Sequence, residues 1–591
     1  MPPRPFDDRR LVLILAAIAF ALRIIFLVRF AASPLFVPVS GGNDCWLYYS
    51  IAQRCAEGHW LPDGVFQYMP LYAWLLGAIV CVAGTKALLF AAWLGALVDT
   101  ATVALIFKLA RRCGAPRWAA FGGALLFATY PLAITYSALN MPNTLNAFFV
   151  LALANIFHGF TSRTPLWKWI ATGIFAGVVC LSFAGMLLIS IVVAVAFIIA
   201  FLVRCPRFSV SAIAKVFAFI AAAALPIAPI SLHNFRAEGK FVLITAHGGF
   251  NFWLGNDEKA TGYPWLPDGF RGDRGNLLAD AQDEVARAVG HKPAAAEFSK
   301  YWNDRAKKFI RENPGREAAL IAKKFLKFWN AAEYDDLRML PMLRLTGTAF
   351  TWPVWPGFGI ISVFGFAGLL TARRCGVVRL IAATSMISIV MFFITSRYRL
   401  TVVPLLCVVG AVGLRPVFIA IADRKFQISN LISQISTSRR GLAWLCAVPL
   451  GFIVAFWPIA GTDFRALDCY NTATHLLEKA TQTGDGALVE DALGYAIKGI
   501  RIDPASPDLH FLAGNASFGM GKTNEARAAF QNAIKLNPKH AQAWFNLAVM
   551  DALGGNKSAA ISNATRAVQL DPGFDQAKDF LKRIQNEPAT R

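Results

Sequence analysis

Runs of about eighteen or more apolar residues recur along this chain, and each is long enough to cross the hydrocarbon of a bilayer. In lipid, backbone N–H and C=O groups have no water to bond, so such runs fold as helices that close their own hydrogen bonds. Candidates lie near residues 11–30, 69–84, 88–108, 117–137, 143–160, 168–183, 184–203, 212–232, 354–372, 377–395, 400–420 and 441–460. Only 16% of the residues are charged, against about a quarter in soluble domains. The expected fold is all-α, beginning with a polytopic membrane bundle over 1–462. Its first run, Leu11 to Val28, follows Arg9 and Arg10 as a leader would. It is longer than a typical leader core and holds Arg23, which favours an uncleaved anchor.

The net charge of +22 is not a nucleic-acid footprint. From Asp463 onward fourteen acids balance fourteen bases, so the excess lies in the membrane part, where basic loops mark the cytoplasmic side. Counting Met69 to Gly84 as a full span would put Lys108, Arg111, Arg112 and Arg117 outside. Reading it as a re-entrant or surface-lying helix brings the charges into register and leaves about eleven spans. The expected topology is that of a bacterial inner-membrane protein with a cytoplasmic N-terminus. Outside lie a first loop over 31–87, the turn at Asn140 to Asn143, a large loop over 233–351, the turn at Ser396 to Arg399, and the tail over 463–591.

That tail repeats. Ile502-Asp503-Pro504, Leu536-Asn537-Pro538 and Leu570-Asp571-Pro572 recur every 34 residues, as do Ala492, Ala526 and Ala560, and Ala496, Phe530 and Ala564. This period, with small residues where helices cross and a proline closing the second helix, is the tetratricopeptide signature. About three repeats fill 471–573, and Phe574 to Gln585 reads as a solubilising cap. Such an α-solenoid is a docking platform for a peptide or protein partner.

Several residues expected outside the membrane suit chemistry. Asp44 lies in Gly41-Gly42-Asn43-Asp44-Cys45-Trp46-Leu47-Tyr48-Tyr49. It is either the N-cap of a short interfacial helix or a carboxylate poised over membrane-borne substrate. Glu57, His59 and Asp63 share its loop, without metal-ligand spacing. In Ser396-Arg397-Tyr398-Arg399 two arginines bracket a tyrosine at the end of a span. They either snorkel to the interface or face an anion, since guanidinium matches phosphate geometry. His233-Asn234-Phe235-Arg236 and the glycine- and amide-rich stretch ending Gly255-Asn256 suit sugar or headgroup contact, and equally suit tight turns. The ten cysteines are scattered. Cys45 and Cys55 share the first loop and could pair in an oxidising compartment. No CxxC or His-rich metal motif occurs, so any divalent cofactor is left unassigned.

Asp44 with Tyr48 and Ala52, Pro70-Leu71-Tyr72, Tyr130-Pro131, Asn234, Gly239, Gly255-Asn256 and Ser396-Arg397-Tyr398-Arg399 occur in the order of one family. Over roughly 10–420 the chain resembles the multi-spanning GT-C glycosyltransferases, in particular the bacterial protein-mannosyltransferase and aminoarabinose-transferase-like group. The resemblance implies sugar transfer from a polyprenyl-phosphate donor to a protein or glycan acceptor outside the cytoplasm, with inversion at the anomeric carbon. Asp44 would be the catalytic base. Arg397 and Arg399 would hold the lipid phosphate, with Tyr398, Asn143, Tyr48, His233, Arg236 and Asn256 completing the substrate site. One departure stands out: many relatives carry an acid near 143, where this chain has Asn143. A scaffold acting through its repeats, or a glycan polymerase, ligase or flippase, is the alternative.

Overall fold

The computed structural model describes the chain except for residues 1–6, 39–42, 205–208, 266, 268–269, 271–273, 338, 349–356, 423–430, 437, 460–463 and 587–591. Gly41, Gly42, the basic stretch 424–430 and the expected boundary at 462–463 thus lie outside the described residues. Among those described, the regular elements are all helices. They form two compact units, one of 1–337 with 349–460 and one of 338–348 with 461–591.

The first unit opens with α1 (Asp8–Ala31), α2 (Asp44–Ala56), α3 (Pro70–Ala83) and α4 (Ala87–Arg112). Pro70 stands at the start of α3, where a missing N–H costs nothing. Gly84, at φ +52°, ends it and allows a sharp turn. Tyr72, Leu76 and Ile79 of α3 and Val98, Leu94 and Ala91 of α4 line one groove, so α3 folds back along α4 as a hairpin. Buried Arg23 of α1 ties the bundle together. Its Nε and Nη2 donate to Asp99 Oδ2 at 2.7 and 2.5 Å, and its Nη1 to the Ala128 carbonyl at 2.7 Å. An arginine at membrane depth is tolerated only when paired in this way.

Next come α5 (Arg117–Ala128), α6 (Pro131–Ala138), α7 (Asn143–His158), α8 (Leu166–Cys180), α9 (Gly185–Arg204) and α10 (Ser209–Glu238). A Cβ on Gly173 would sit 2.4 Å from the Phe219 carbonyl oxygen, and one on Gly177 2.2 Å from that of Ala223. This pair of small residues four apart lets the backbones of α8 and α10 touch.

The segment read as a large outer loop is helical. It holds α11 (Gly248–Gly255), α12 (Arg274–Val289), α13 (Ala295–Glu312) and α14 (Pro314–Trp329) around an aromatic core, with the rings of Trp253 and Trp302 4.2 Å apart. After α15 (Met339–Leu345), which belongs to the second unit, follow α16 (Phe358–Thr371), α17 (Gly376–Val390), α18 (Ser396–Leu400), α19 (Val403–Gly413), α20 (Arg415–Ala422), α21 (Leu431–Ser436) and α22 (Arg439–Ala455).

Among the described residues five stretches are long and apolar enough to cross a membrane: Asp8–Ala31, Pro70–Arg112 (which contains the α3–α4 hairpin), Gly185–Val203, Val210–Glu238 and Val403–Ile421. Two bent pairs raise the number to seven: Arg117–Ala128 with Pro131–Ala138, at 53°, and Phe358–Thr371 with Arg373–Val390, at 81°. Against the eleven spans expected from charge, helix length and composition give five to seven candidates among the described residues. Interruption is the reason. Pro131 restarts a helix after Tyr130, and α7 and α8, at 16 and 15 residues, reach less than the ~30 Å of the hydrocarbon at about 1.5 Å per residue.

In the second unit the 34-residue period becomes stacked helix pairs: α23 (Arg465–Thr483) with α24 (Gly486–Ile502), α25 (Pro507–Gly519) with α26 (Thr523–Leu536), and α27 (Ala541–Leu553) with α28 (Lys557–Leu570). A final helix, α29 (Asp575–Asn586), covers the end. Ala492, Ala526 and Ala560 are fully buried, as are Ala496 and Ala564. That is why the period shows most clearly at small residues. The second unit also includes α15, from the stretch that the sequence assigned to the outer loop. Its Leu343 is fully buried, and the Tyr495 hydroxyl donates to the Leu345 carbonyl at 2.8 Å.

Candidate functional site

Asp44 opens α2 and does not cap it. The cap is Asn43, whose side-chain oxygen accepts from the N–H groups of Cys45 and Trp46 at 3.0 and 3.4 Å. Asp44 is therefore the first helical residue, where the helix dipole favours a negative charge, and its carboxylate is turned to a partner far along the chain. Arg397 Nη1 donates to Asp44 Oδ2 at 2.6 Å across a separation of 353 residues. Cys45 and Cys55 are both free. Ten positions along one helix separate them by about 15 Å, beyond the reach of a disulfide.

Arg397 rides on α18, a short helix capped by Thr395, whose hydroxyl oxygen accepts from the Tyr398 N–H. Its Nη2 donates to Asp336 Oδ2 at 2.7 Å. One guanidinium thus spans two carboxylates, with only 6% of the Arg397 side chain exposed and 11% and 14% of those of Asp44 and Asp336. Asp336 belongs to an acidic run, Glu333-Tyr334-Asp335-Asp336, that sequence reasoning passed over. Two interior tyrosines hold this run: the Tyr136 hydroxyl donates to Asp335 at 2.6 Å, and that of Tyr130 donates to Glu333. The backbone is pinned as well, with the Ser396 N–H donating to the Tyr334 carbonyl at 2.7 Å. Burial pushes the Asp336 carboxyl above its ordinary range, despite the opposing pull of Arg397.

The other expected site residues divide. Asn143, at the start of α7, donates from Nδ2 to the Arg397 carbonyl at 3.0 Å, so it positions the arginine's backbone. Arg399 turns away from the carboxylates. It donates to the carbonyls of Phe328, Asn330 and Ala332 at 2.8–3.2 Å and to the Ser396 hydroxyl, and it stacks 4.0 Å from the Phe358 ring. Tyr398 packs on Phe393 in the aromatic core. Tyr48 meets Tyr72 edge-on, with ring centroids 5.4 Å apart. His233 bonds the Gly64 carbonyl at 3.0 Å. Asn256 ties the Met391 carbonyl to Lys324 Nζ, at 2.9 and 2.7 Å. Arg236 is exposed. Of the expected set, Asp44, Arg397 and Asn143 meet, whereas Arg399, Tyr398, Tyr48, His233 and Asn256 brace neighbouring segments.

Behind the acidic run, Tyr334 stacks on Tyr263 at 4.5 Å, and Lys327 Nζ lies 3.3 Å from the centre of the Tyr263 ring. Burial pushes the Lys327 amine down to about 7.

Three buried polar atoms around Arg397 lack a hydrogen-bond partner among the described residues: its own Nε, Asp336 Oδ1 and Asn143 Oδ1. Leaving such atoms unpaired is costly, so the cluster retains capacity for a polar ligand. Among the described residues no group of three or more His, Cys, Asp or Glu side chains is arranged to hold a metal. Tyr136, whose hydroxyl bonds Asp335, also lines the hairpin groove together with Tyr72, Leu76, Leu94 and Met141.

The tetratricopeptide repeat family model matches residues 511–573. Human Protein O-mannosyl-transferase TMTC1 is 28% identical over 130 residues, which is 21% of this chain and 14% of that protein. Two crystal structures of MamA align with 22% and 26% of the chain, at 22% and 20% identity and TM-scores of 0.17 and 0.18.

Proposed function

We propose that the membrane unit is a glycosyltransferase that moves a sugar from a polyprenyl-phosphate donor to a hydroxyl of a protein or glycan acceptor outside the cytoplasm. The observation that carries this reading is Arg397, held between the carboxylates of Asp44 and Asp336 beside an apolar groove. A lipid-linked substrate needs both halves: a channel for its chain and a cation for its phosphate. The partial likeness to a protein O-mannosyl-transferase supports the same class.

Arg397 is the phosphate ligand in this mechanism, and its unpaired Nε is free to donate. When the donor phosphate engages the guanidinium, Asp44 loses part of its neutralising partner and becomes a stronger base. Asp44 then takes the proton of the acceptor hydroxyl. The acceptor oxygen bonds to the anomeric carbon as the carbon–phosphate-oxygen bond breaks on the opposite face, inverting the centre. The lipid phosphate leaves with the bonding electrons, stabilised by Arg397. Asp336 keeps the arginine aimed throughout, and Arg399 fixes the loop that carries Asp336. The repeats present or recruit the acceptor.

The test is transfer from polyprenyl-phosphate mannose by protein in liposomes. Asp44→Asn should lower the rate by about 10²–10⁴-fold, the range of general-base contributions, with donor binding retained. Wild-type turnover by that variant would sink the assignment of the base.

A further inference from the structure

We propose a second site, independent of the transfer reaction: a pocket at the opposite end of the bundle that binds the phosphodiester headgroup of an anionic membrane lipid. Two helices fix its location. α16 starts where Phe358 stacks on Arg399 and ends at Thr371, which lines the pocket. α19 starts just after Arg399 and is followed by Arg415, which also lines it. Both helices run from the carboxylate–arginine cluster to this cavity of about 380 Å³.

Four arginines line the cavity: Arg373, Arg374, Arg415 and Arg440. Arg415 is half-buried, and its Nη1 would lie 3.4 Å from a Cβ on Gly114, with Arg374 Nη1 3.2 Å from the same point. Two guanidinium groups thus crowd one glycine. Two local explanations for such a cluster are already accounted for. The last carbonyls of α16 attract cations, but Arg379 serves them by donating to the Leu369 carbonyl at 2.5 Å. A carboxylate would neutralise the charge, but Asp8 at this end is taken by Arg111 and Arg117, at 3.1 and 2.7 Å. None of the four pocket arginines forms an ion pair among the described residues. Among the described residues these like charges have no counter-charge, which suits an anion from outside, and guanidinium forks match the oxygens of a phosphodiester.

The surroundings select a lipid over a free ion. Ile419 lines the pocket, is 60% exposed, and lies on the apolar stretch Val403–Ile421. An apolar side chain exposed there meets acyl chains while the arginines sit at headgroup level. Basic pockets between membrane helices take anionic headgroups in this way.

The full-length protein in phosphatidylcholine nanodiscs, titrated with phosphatidylglycerol and read by native mass spectrometry, tests the site. Wild type should retain phosphatidylglycerol in preference to phosphatidylcholine. Arg374→Gln with Arg415→Gln should weaken that retention by about tenfold or more, through loss of charge-assisted hydrogen bonds. If the half-buried Arg415 variant fails to fold, Arg373→Gln with Arg440→Gln, both on exposed side chains, should show the same direction. Equal retention of both lipids, unchanged retention in the variants, or full displacement by millimolar inorganic phosphate would each overturn the proposal; the last would mark a free-anion site.

Discussion

Replacing Arg397 with methionine tests whether the charge cluster depends on that single cation. Methionine keeps much of the side-chain volume and removes the guanidinium that spans Asp44 at 2.6 Å and Asp336 at 2.7 Å. With charge centres about 4 Å apart and an effective dielectric near 20, each pair is worth about 4 kcal/mol before desolvation is counted. Breaking a buried pair from one side costs about 3–5 kcal/mol, because the remaining charge stays buried without compensation. Here two carboxylates are left, so Arg397→Met should reach the upper part of that range. The loss should depend on pH. Burial already holds the Asp336 carboxyl above its ordinary range, and removing the cation raises it further. A group whose folded pKa is raised contributes its stability below the unfolded value and loses it as pH rises through the folded one. The variant should therefore suffer most at pH above about 7 and recover part of its stability near pH 5. Thermal unfolding of the detergent-solubilised protein at both pH values measures this. The triple variant Arg397→Met, Asp44→Asn, Asp336→Asn should regain most of the loss, since amides leave no buried charge. A cost under about 1 kcal/mol at high pH, the size of a surface salt bridge, would refute the reasoning.

Two further outcomes follow from buried side chains. Lys327, with its amine pushed down to about 7, sheds its proton in the folded state well below the unfolded value. Folding should thus gain about 2 kcal/mol from this group between pH 7 and 9, and Lys327→Met should flatten that rise in a melting-temperature series. Leu343 is fully buried within the repeat unit, so Leu343→Ala should cost that unit about 2–5 kcal/mol. Limited proteolysis of the tail would report the loss; unchanged protection would mean that α15 is not part of the repeat core.

Legibility in the sequence tracked how local the governing physics is. The apolar runs and the 34-residue period are constraints along the chain, so spans and repeats could be expected without coordinates. The number of spans was less accessible, because a bend at Tyr130–Pro131 breaks the run 117–137 that charge counting treats as whole, and because α7 and α8 are short. The pair Arg397 and Arg399 shows a reading that helix geometry could have corrected. Residues two apart on a helix point to different sides, and here one meets carboxylates while the other bonds backbone carbonyls. The Asp44–Arg397 contact depends on folding across 353 residues, which no spacing rule reaches.

Many members of the family that the sequence resembles carry an acid near 143, where this chain has Asn143. Asn143 does not supply a second carboxylate; its amide bonds the Arg397 backbone. A second carboxylate, Asp336, lies on the other arm of the same guanidinium. In the sequence, Glu333-Tyr334-Asp335-Asp336 reads as a solvated loop, since an acidic run is usually exposed. A usable signal was present, however. Acids number only 36 in 591 residues, and three of them fall within four positions of a segment expected on Asp44's side of the membrane. Such a concentration, in a chain with two tyrosines embedded in neighbouring apolar helices, points to internal hydroxyl partners. Tyr130 and Tyr136 are those partners, and they hold the run where Arg397 can bridge it to Asp44.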